Sequence, residues 1–281
     1  MAIAGLLLAL FAVLLPPAAA QPAPKGGPSV RGVASTEAHA DYQLYTRGFR
    51  VAHLEVGYDL AATNYRMEVA YRTFGLVGFL FHGRQLSSVA GGWNGSTAVP
   101  AQYVGDGYWR GGVHRTILDY TNGVPKIREQ IPSNEEDDRE EVPAAQLPGA
   151  IDALSAITEM MRVATATGRC ELALRTYDGR RLIQLTARTA GYEELAPTDR
   201  SVFTGRALRC NFTGRLVAGF RSNDSATERT QSRGGSAWLA QVVPGASLLP
   251  VKMVFETAWF GDATMYLTAS GPGSARNAPT D

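Results

Sequence analysis

The sequence predicts a mainly β chain in which one main helix is packed on, or plugged into, an antiparallel sheet. Apolar and polar residues alternate with a period of two over many segments, which is typical of half-buried antiparallel strands. Asn-Gly and Asp-Gly pairs, which favour tight hairpin turns, separate several of these segments. Only one segment has the three- and four-residue apolar spacing that predicts a convincing helix.

The N-terminus has the features of a signal peptide. Residues 1–20 contain an apolar run, a Pro pair and the small residues Ala18 and Ala20, which form an A-x-A cleavage pattern. The run is shorter than the roughly 20 apolar residues of a transmembrane helix. No Lys or Arg precedes it, which departs from the usual pattern. We therefore predict secretion, with a mature chain that begins near Gln21 and has no transmembrane segment.

The rest of the chain divides by composition into three parts. Residues 21–39 are rich in Pro, Gly and Ser, which predicts a disordered leader. Residues 40–270 are expected to form a single β-rich domain, because β folds of this length often bury one undivided core. Residues 271–281 are expected to be a disordered tail.

The first half of the domain shows the clearest strands. Tyr42 and Leu44 belong to the first, and residues 52–60 and 65–71 alternate apolar with polar side chains on either side of a Thr63-Asn64 turn. Residues 74–81 break the alternation and are either a short apolar helix or a buried loop. Further strands are predicted at residues 85–93, 102–108, 113–120 and 126–131, with hairpin turns at Asn94-Gly95 and Asn122-Gly123.

An acidic run and the helix follow. Residues 133–141 carry six acidic side chains in a spacing that fits no EF-hand, so they are expected to form a solvated loop or, less simply, a weak cation site. Residues 152–167 have helical apolar spacing, with Asp152 placed as the N-cap and Gly168 as the stop.

The second half returns to strands around the two cysteines. In a secreted chain Cys170 and Cys210 most simply form a disulfide, whose loop of about 41 residues would contribute roughly 4 kcal/mol to stability. Two unpaired buried thiols are the alternative. Residues 221–234 are expected to be a polar loop, and later strands are predicted at residues 237–243, 251–259 and 263–268.

No motif for catalysis or metal binding is present. The four histidines stand singly, and G-x-S-x-G and C-x-x-C are both missing. Asp119 with Tyr120, or Asp178 with Tyr177, could form an acid–base pair, but an Asp in a strand-end turn is the ordinary interpretation. The net charge of +1 gives no field that would recruit nucleic acid. We therefore expect no enzyme, no cofactor and no nucleic-acid partner.

Several stretches together resemble a known family. They are Thr73–Phe81, Pro100 with Tyr103, the Asp152–Ser155 helix start, and the segment from Cys170 through Tyr177-Asp-Gly-Arg-Arg181 to Cys210. Over residues 40–270 the chain resembles a bacterial envelope family of unknown function, numbered 3108. The resemblance implies a periplasmic location in a Gram-negative bacterium. It also implies a half-barrel similar to lipoprotein carriers of the LolA/LolB type, a large curved antiparallel sheet around helical elements.

Three hypotheses for function follow, in decreasing order of support. The first is a non-enzymatic protein whose concave face binds a lipid or a lipoprotein acyl chain. The second is an envelope scaffolding protein that acts through sheet edges without a small ligand, and the third is a hydrolase with an unrecognised carboxylate site. For the first, the candidate ligand-lining residues are Tyr65, Met67, Val69, Tyr71, Phe79 and Phe81. The alternative for this face is that the helix fills it and makes it core.

Overall fold

The computed structural model describes residues 38–74, 83–109, 111–133, 137–257 and 261–273. The predicted signal peptide, the leader as far as residue 37, and the tail from residue 274 lie outside the described residues. The same holds for Phe79 and Phe81 and for nearly all of the apolar segment 74–81.

In the described part of the chain, fourteen strands form a single sheet, and the protein is mainly β, as predicted. The strands are β1 Ala38–Thr46, β2 Phe49–Leu60, β3 Asn64–Thr73, β4 Arg84–Asn94, β5 Thr97–Trp109, β6 Gly112–Thr121, β7 Val124–Ile131, β8 Ala150–Ile151, β9 Leu172–Tyr177, β10 Leu182–Leu195, β11 Gly205–Ala218, β12 Ser232–Ala240, β13 Leu249–Thr257 and β14 Gly261–Pro272. The main helix, α1, spans Ala153–Thr167, and a short helix, α2, spans Ala226–Thr230.

Two meanders make up the sheet. Strands β1 to β7 form one and β9 to β14 form the other, with the two-residue β8 added in parallel beside β9. The first and last strands join the two meanders, because β1 pairs with β14 in antiparallel register, with Leu44 opposite Met265. The two edges of the sheet are therefore β7 and β8.

The sheet curves until these two edges approach each other, so it is nearly closed and barrel-like. The N–H of Gly149, just before β8, donates to the carbonyl of Gly123 in the β6–β7 turn at 2.8 Å. Beside it, Leu118 of β6 packs with Tyr177 and Leu182 from the other meander in a small buried cluster. The predicted curved antiparallel sheet with one main helix is thus confirmed.

Helix α1 lies within the curve of the sheet. Its N-cap is Asp152, whose side chain accepts from the Ser155 N–H at 2.8 Å, and its C-cap is Gly168 with φ +65°. Both ends agree with the sequence, because an Asp satisfies a free N–H and a glycine adopts the left-handed conformation without strain. Eight of its fifteen residues are buried, and they lie on several sides of the helix, as expected for a helix that is plugged into the sheet.

The disulfide ties the end of α1 to the second meander. Cys170 and Cys210 are bonded, with their Cα atoms 5.9 Å apart, and both are almost fully buried in the main core. Because Cys170 lies two residues after the helix C-cap Gly168, the bond holds the C-terminal end of α1 close to β11.

The hairpin turns agree with the sequence in part. Asn122 and Gly123 both have positive φ, as a type I′ turn requires, and join β6 to β7 as predicted. The other predicted turn is shifted by one residue, because Asn94 still pairs with Thr97 and the turn is Gly95-Ser96. The β2–β3 connection is also displaced, since it occupies residues 61–63 and Asn64 opens β3.

Other boundaries differ from the sequence expectation. Strand β1 begins at Ala38, inside the predicted leader, and β14 runs to Pro272, inside the predicted tail. These terminal residues are ordered because the two strands pair with each other. The predicted polar loop 221–234 contains α2, which has a capping box between Ser225 and Glu228, and also the start of β12.

Candidate functional site

The inner, concave face of the sheet is defined by the alternation of side chains along each strand. On β3 the inward residues are Tyr65, Met67, Val69 and Tyr71, which are the four described members of the predicted ligand-lining set. Their partners on β2 are Leu60, Tyr58, Val56 and Leu54 in that order. The structure therefore confirms that these four side chains share a face of β3, and it divides them into two pairs.

Tyr65 and Met67 lie in the covered half of this face, where α1 packs. Tyr65 is 3% exposed and Met67 is 2% exposed. The Tyr65 hydroxyl is 2.8 Å from Ser155 Oγ on α1. These two residues are core of the folded protein, so the helix-filled alternative holds for this half of the face.

A buried hydrogen-bond network joins the helix start to the sheet. Asp152 accepts from Ser155 Oγ at 2.6 Å and from the Tyr120 hydroxyl of β6 at 3.3 Å. Burial raises the pKa of the Asp152 carboxyl, although the hydrogen bonds from Ser155 and Tyr120 oppose the rise. Asp152 and Ser155 are buried, and each polar group of the network has a partner, which is the arrangement of a structural helix cap.

Further along α1, Glu159 and Arg162 satisfy strand-end backbone groups. The Ala98 N–H at the start of β5 donates to Glu159 Oε2 at 2.7 Å, and burial raises the pKa of this carboxyl. Arg162 donates to the carbonyls of Ala61 and Ala62 at 3.2 Å and lies over the Trp93 ring. The helix is thus bonded to the sheet at several points, which fixes how far it covers the concave face.

Val69 and Tyr71 lie in the open half of the face, which we define as Val56, Val69 and Tyr71. All three are partly exposed and pack against the edge of the main core. Val56 stands directly opposite Val69 on the neighbouring strand. This half of the face therefore offers apolar side chains that no part of α1 is bonded to in the described structure.

Two tyrosine hydroxyls on the concave face are buried without a hydrogen-bond partner in the described residues. They belong to Tyr71 in the open half and to Tyr58, which is 3% exposed. Burial raises the pKa of both, to about 12 for Tyr58, so both hydroxyls stay protonated and can donate. A buried unpaired hydroxyl costs free energy, and such a group in a native fold calls for an explanation.

The wall next to the open half is polar. Gln85 and Ser87 of β4 stand opposite Tyr71 and Val69, and Gln85 Nε2 donates to Ser87 Oγ at 2.8 Å. The Tyr103 hydroxyl also points to Ser87 at 3.4 Å, and burial raises its pKa to about 12. The open half thus has an apolar floor on β2 and β3 with a polar margin on β4 and β5.

A groove of about 340 Å³ lies over β11, β12 and β13. Its lining combines Phe212 and Phe255 with polar side chains of the outer surface, including Arg209 and Asn211. Gly235 has no room for a side chain, since a Cβ there would lie 2.5 Å from the Phe212 ring. The groove is shallow and of mixed polarity.

The described part of the acidic run is an irregular segment with Asp138, Glu140 and Glu141 exposed, as expected of a solvated loop, but it also carries ion pairs that the sequence analysis did not predict. Asp137 pairs with Arg180 of the β9–β10 turn, Asp138 with Arg221 at 2.6 Å, and Glu140 with Arg229 at 2.5 Å. The sequence reasoning missed these pairs because the arginines stand far along the chain. The ion pairs instead connect the segment after β7 to the second meander, across the gap between the sheet edges.

Neither proposed acid–base pair is brought together. Asp119 bonds Arg128 and Gln102, whereas Tyr120 bonds Asp152. Asp178 accepts from the Arg180 and Arg181 N–H groups, and burial is outweighed by these bonds and the Arg181 charge, which hold its pKa below the usual range. No group of three potential metal ligands occurs among the described residues.

Sequence reasoning also missed Tyr58. The period-two pattern places it on the same face as Val56, but no pattern shows whether a hydroxyl finds a partner. Whether the Tyr58 hydroxyl finds a partner depends on the position at which α1 packs against the sheet, and the sequence of the strand does not determine that position.

A family model described as a protein of unknown function (DUF3108) matches residues 41–268. No curated protein matches. Among solved structures, the chain is similar to a beta-barrel-like protein of domain of unknown function DUF1849 from Brucella abortus. The identity is 9%, the TM-score is 0.45, and the match covers 83% of this chain and 96% of that one. No helix within the described ranges is long and apolar enough to span a membrane.

Proposed function

The chain belongs to the DUF3108 family, proteins of unknown function, and we propose that it is a non-enzymatic periplasmic protein that binds an apolar ligand on the open half of its concave face. The ligand class is a lipid with a single acyl chain in contact with Val56, Val69 and Tyr71. The proposal narrows the ligand-lining set to the part of the face that α1 leaves uncovered.

The main support for this proposal is that the inward face of β3 is buried at one end and partly exposed at the other. A sheet face that served only as core would be covered along its whole length, because partly exposed apolar side chains forgo part of the free energy of burial. Here Tyr65 and Met67 are buried, whereas Val69 and Tyr71 are not fully buried. Concave sheets that leave apolar side chains accessible are a common place for ligands.

The disulfide supports the proposed location. Disulfides persist in oxidising compartments such as the periplasm, and the Cys170–Cys210 bond fits an extracytoplasmic protein. The apolar N-terminal run, read as a signal peptide, supports the same location.

Native mass spectrometry of the protein purified from a bacterial periplasm tests the proposal. We expect an extra mass in the size range of a lipid, which disappears after extraction with organic solvent. Val69→Trp, which fills the open half, should remove most of the extra mass. Val113→Trp is the matched control, because Val113 stands on β6 with 56% of its surface exposed.

A bare protein mass before and after extraction, in a sample never exposed to detergent, would contradict lipid binding. An extra mass that survives in Val69→Trp but not in Val113→Trp would place the ligand elsewhere. Thermal unfolding of both variants shows that each is folded, since extra volume at a packed site can cost about 1–3 kcal/mol.

Strand β7 favours a second candidate, an envelope scaffolding protein that acts through a sheet edge. It pairs with β6 on one side only, and Ile127 and Ile131 are 38% and 40% exposed. Exposed edge strands can pair with another chain. Crosslinking from a photoreactive residue at position 127 would capture a specific envelope protein if this role holds, and only background if it does not.

A further inference from the structure

One end of the first meander carries exposed basic and apolar side chains. Arg50 lies at the start of β2, Arg72 near the end of β3 and Arg84 at the start of β4, and all three are exposed. Beside them, Phe49 follows the β1–β2 turn with 74% of its surface exposed. This surface stands at the other end of β2 from the β2–β3 turn, to which Arg162 of α1 is bonded.

The three arginines lie close together, and we call them the arginine cluster. Arg50 and Arg72 both lie over the Phe74 ring, with their guanidinium carbons 5.3 Å and 5.1 Å from the ring centroid. Arg72 and Arg84 are direct partners across the antiparallel β3–β4 pair. Like charges directly opposite each other on neighbouring strands destabilise a sheet, so this arrangement does not serve the stability of the sheet.

No carboxylate among the described residues forms an ion pair with the arginine cluster. Glu55 lies on the same outer surface but pairs with His53 at 3.3 Å, and residues 75–82 contain no acidic residue. By contrast, Arg221 and Arg229 of the second meander each have a carboxylate partner. The charge of the arginine cluster is therefore available to an anionic partner outside the chain.

We propose that this end of the barrel docks on a phospholipid membrane that carries anionic headgroups. The arginine cluster binds the headgroup phosphates, because guanidinium groups form paired hydrogen bonds with phosphate oxygens. Phe49 inserts into the interface below the headgroups, where its ring leaves water. Exposed apolar side chains next to basic ones are typical of proteins that bind at an anionic membrane surface. An acidic protein surface would match the arginines but would leave this exposed ring without an apolar partner.

Membrane docking is independent of the ligand proposed above, because the arginine cluster is on the outer surface whereas the open half is on the concave face. The two are close nonetheless, since Arg72 and Tyr71 are neighbours on β3 and point to opposite faces of the sheet. Docking at this end therefore brings the open half near the membrane that would contain the proposed lipid.

Sedimentation with vesicles tests the docking. Protein purified from a bacterial periplasm is mixed with vesicles of phosphatidylcholine alone, or of equal parts phosphatidylcholine and phosphatidylglycerol. We expect binding to the mixed vesicles that weakens as salt is added, because salt screens exposed charges. Arg72→Gln/Arg84→Gln should lower the partition coefficient on the mixed vesicles about thirtyfold, as expected for two basic side chains at an anionic surface.

Arg188→Gln/Arg215→Gln is the matched control for charge. Both side chains are exposed on the second meander, on β10 and β11, and the change in net charge is the same, so most of the binding should remain. Thermal unfolding shows that both double variants are folded. Arg72→Gln/Arg84→Gln should be at least as stable as the wild type, since it removes two opposed like charges.

A second pair of variants tests the apolar contact. Phe49→Ser should weaken binding to the mixed vesicles about tenfold, because the inserted ring is lost. Val202→Ser is its control, since Val202 is 64% exposed but lies in the loop after β10, at the opposite end of the strands. Unchanged binding of Phe49→Ser would contradict the insertion of this residue.

Two outcomes would overturn membrane docking. Equal losses in the two double arginine variants would show that net charge, and not the arginine cluster, attracts the protein to the vesicles. A wild type that binds the mixed vesicles no better than phosphatidylcholine alone would exclude an anionic membrane as the partner and favour an acidic protein. Neither outcome affects the test of ligand binding, because the extra mass on the purified protein is measured without vesicles.

Discussion

Tyr65 and Tyr71 stand on the same strand and point to the same concave face, but their hydroxyls differ. Tyr65 bonds Ser155 of α1 and is 3% exposed. Tyr71 is partly exposed, and its hydroxyl is buried with no partner among the described residues. Helix α1 forms a hydrogen bond with Tyr65 and none with Tyr71 in the described structure. The half of β3 that contains Tyr65 is therefore buried core, and the half that contains Tyr71 is only partly buried.

The difference indicates how this fold could combine stability with binding. The covered half gathers the helix cap, the disulfide and the Glu159 contact, all of which hold α1 in place. The open half carries apolar side chains and the Tyr71 hydroxyl, which has no hydrogen-bond partner among the described residues, and these groups add little to stability. A ligand bound on the open half would bury its apolar side chains, as α1 buries those of the covered half.

Breaking the disulfide should have the largest effect, because it removes the anchor of the covered half. The bond closes a loop with a sequence separation of 40, so the Cys170→Ala/Cys210→Ala variant should lose about 3–4 kcal/mol in free energy of unfolding. Urea denaturation followed by circular dichroism measures it. A loss below about 1 kcal/mol would show that α1 is held without the bond.

Asp152→Ala should have the second-largest effect, a loss of about 2–3 kcal/mol in the free energy of unfolding. The change removes the N-cap and leaves Ser155 and Tyr120 without their shared acceptor. Asp152→Asn is the control, because the amide keeps an acceptor oxygen and should lose less. Equal losses in the two variants would mean that the charge, and not the cap, matters.

Removing single hydroxyls sharpens the comparison directly. Tyr65→Phe should cost about 1 kcal/mol, since it leaves Ser155 with one bond fewer. Tyr71→Phe should cost nothing in the ligand-free protein and can stabilise it, because an unpaired buried hydroxyl is removed. Denaturation midpoints of the extracted proteins decide this, and a clear loss in Tyr71→Phe would show that its hydroxyl is paired.

The pH dependence should be the smallest effect, with opposite signs for two aspartates. The pKa of Asp152 is raised by burial, so the wild type should gain stability relative to Asp152→Asn as pH falls through that raised pKa. The pKa of Asp178 is lowered, so its stabilisation exists above about pH 4 and is lost as pH falls through the folded pKa. Free energies of unfolding of wild type, Asp152→Asn and Asp178→Asn between about pH 3 and pH 7 show whether the two curves diverge in these directions.

The local features of the fold were predictable from the sequence because they depend on neighbouring residues. Strand alternation located the inward face of β3, Asp152 and Gly168 marked the ends of α1, and Asn122-Gly123 marked a turn. The extent of helix coverage was not predictable, because it depends on contacts such as Ser155 with Tyr65, ninety residues apart in the chain. The ion pairs of the acidic run were not predictable for the same reason, because their arginine partners are also far away in the chain.

The most direct test of the account is methyl NMR of the extracted protein with bound methyl decanoate. We predict nuclear Overhauser effects from the decanoyl chain to the methyl groups of Val56 and Val69, and none to Val113 on β6. Contacts to Leu154 of α1 without contacts to Val69, or contacts confined to Val113, would contradict the division of the concave face into a covered and an open half.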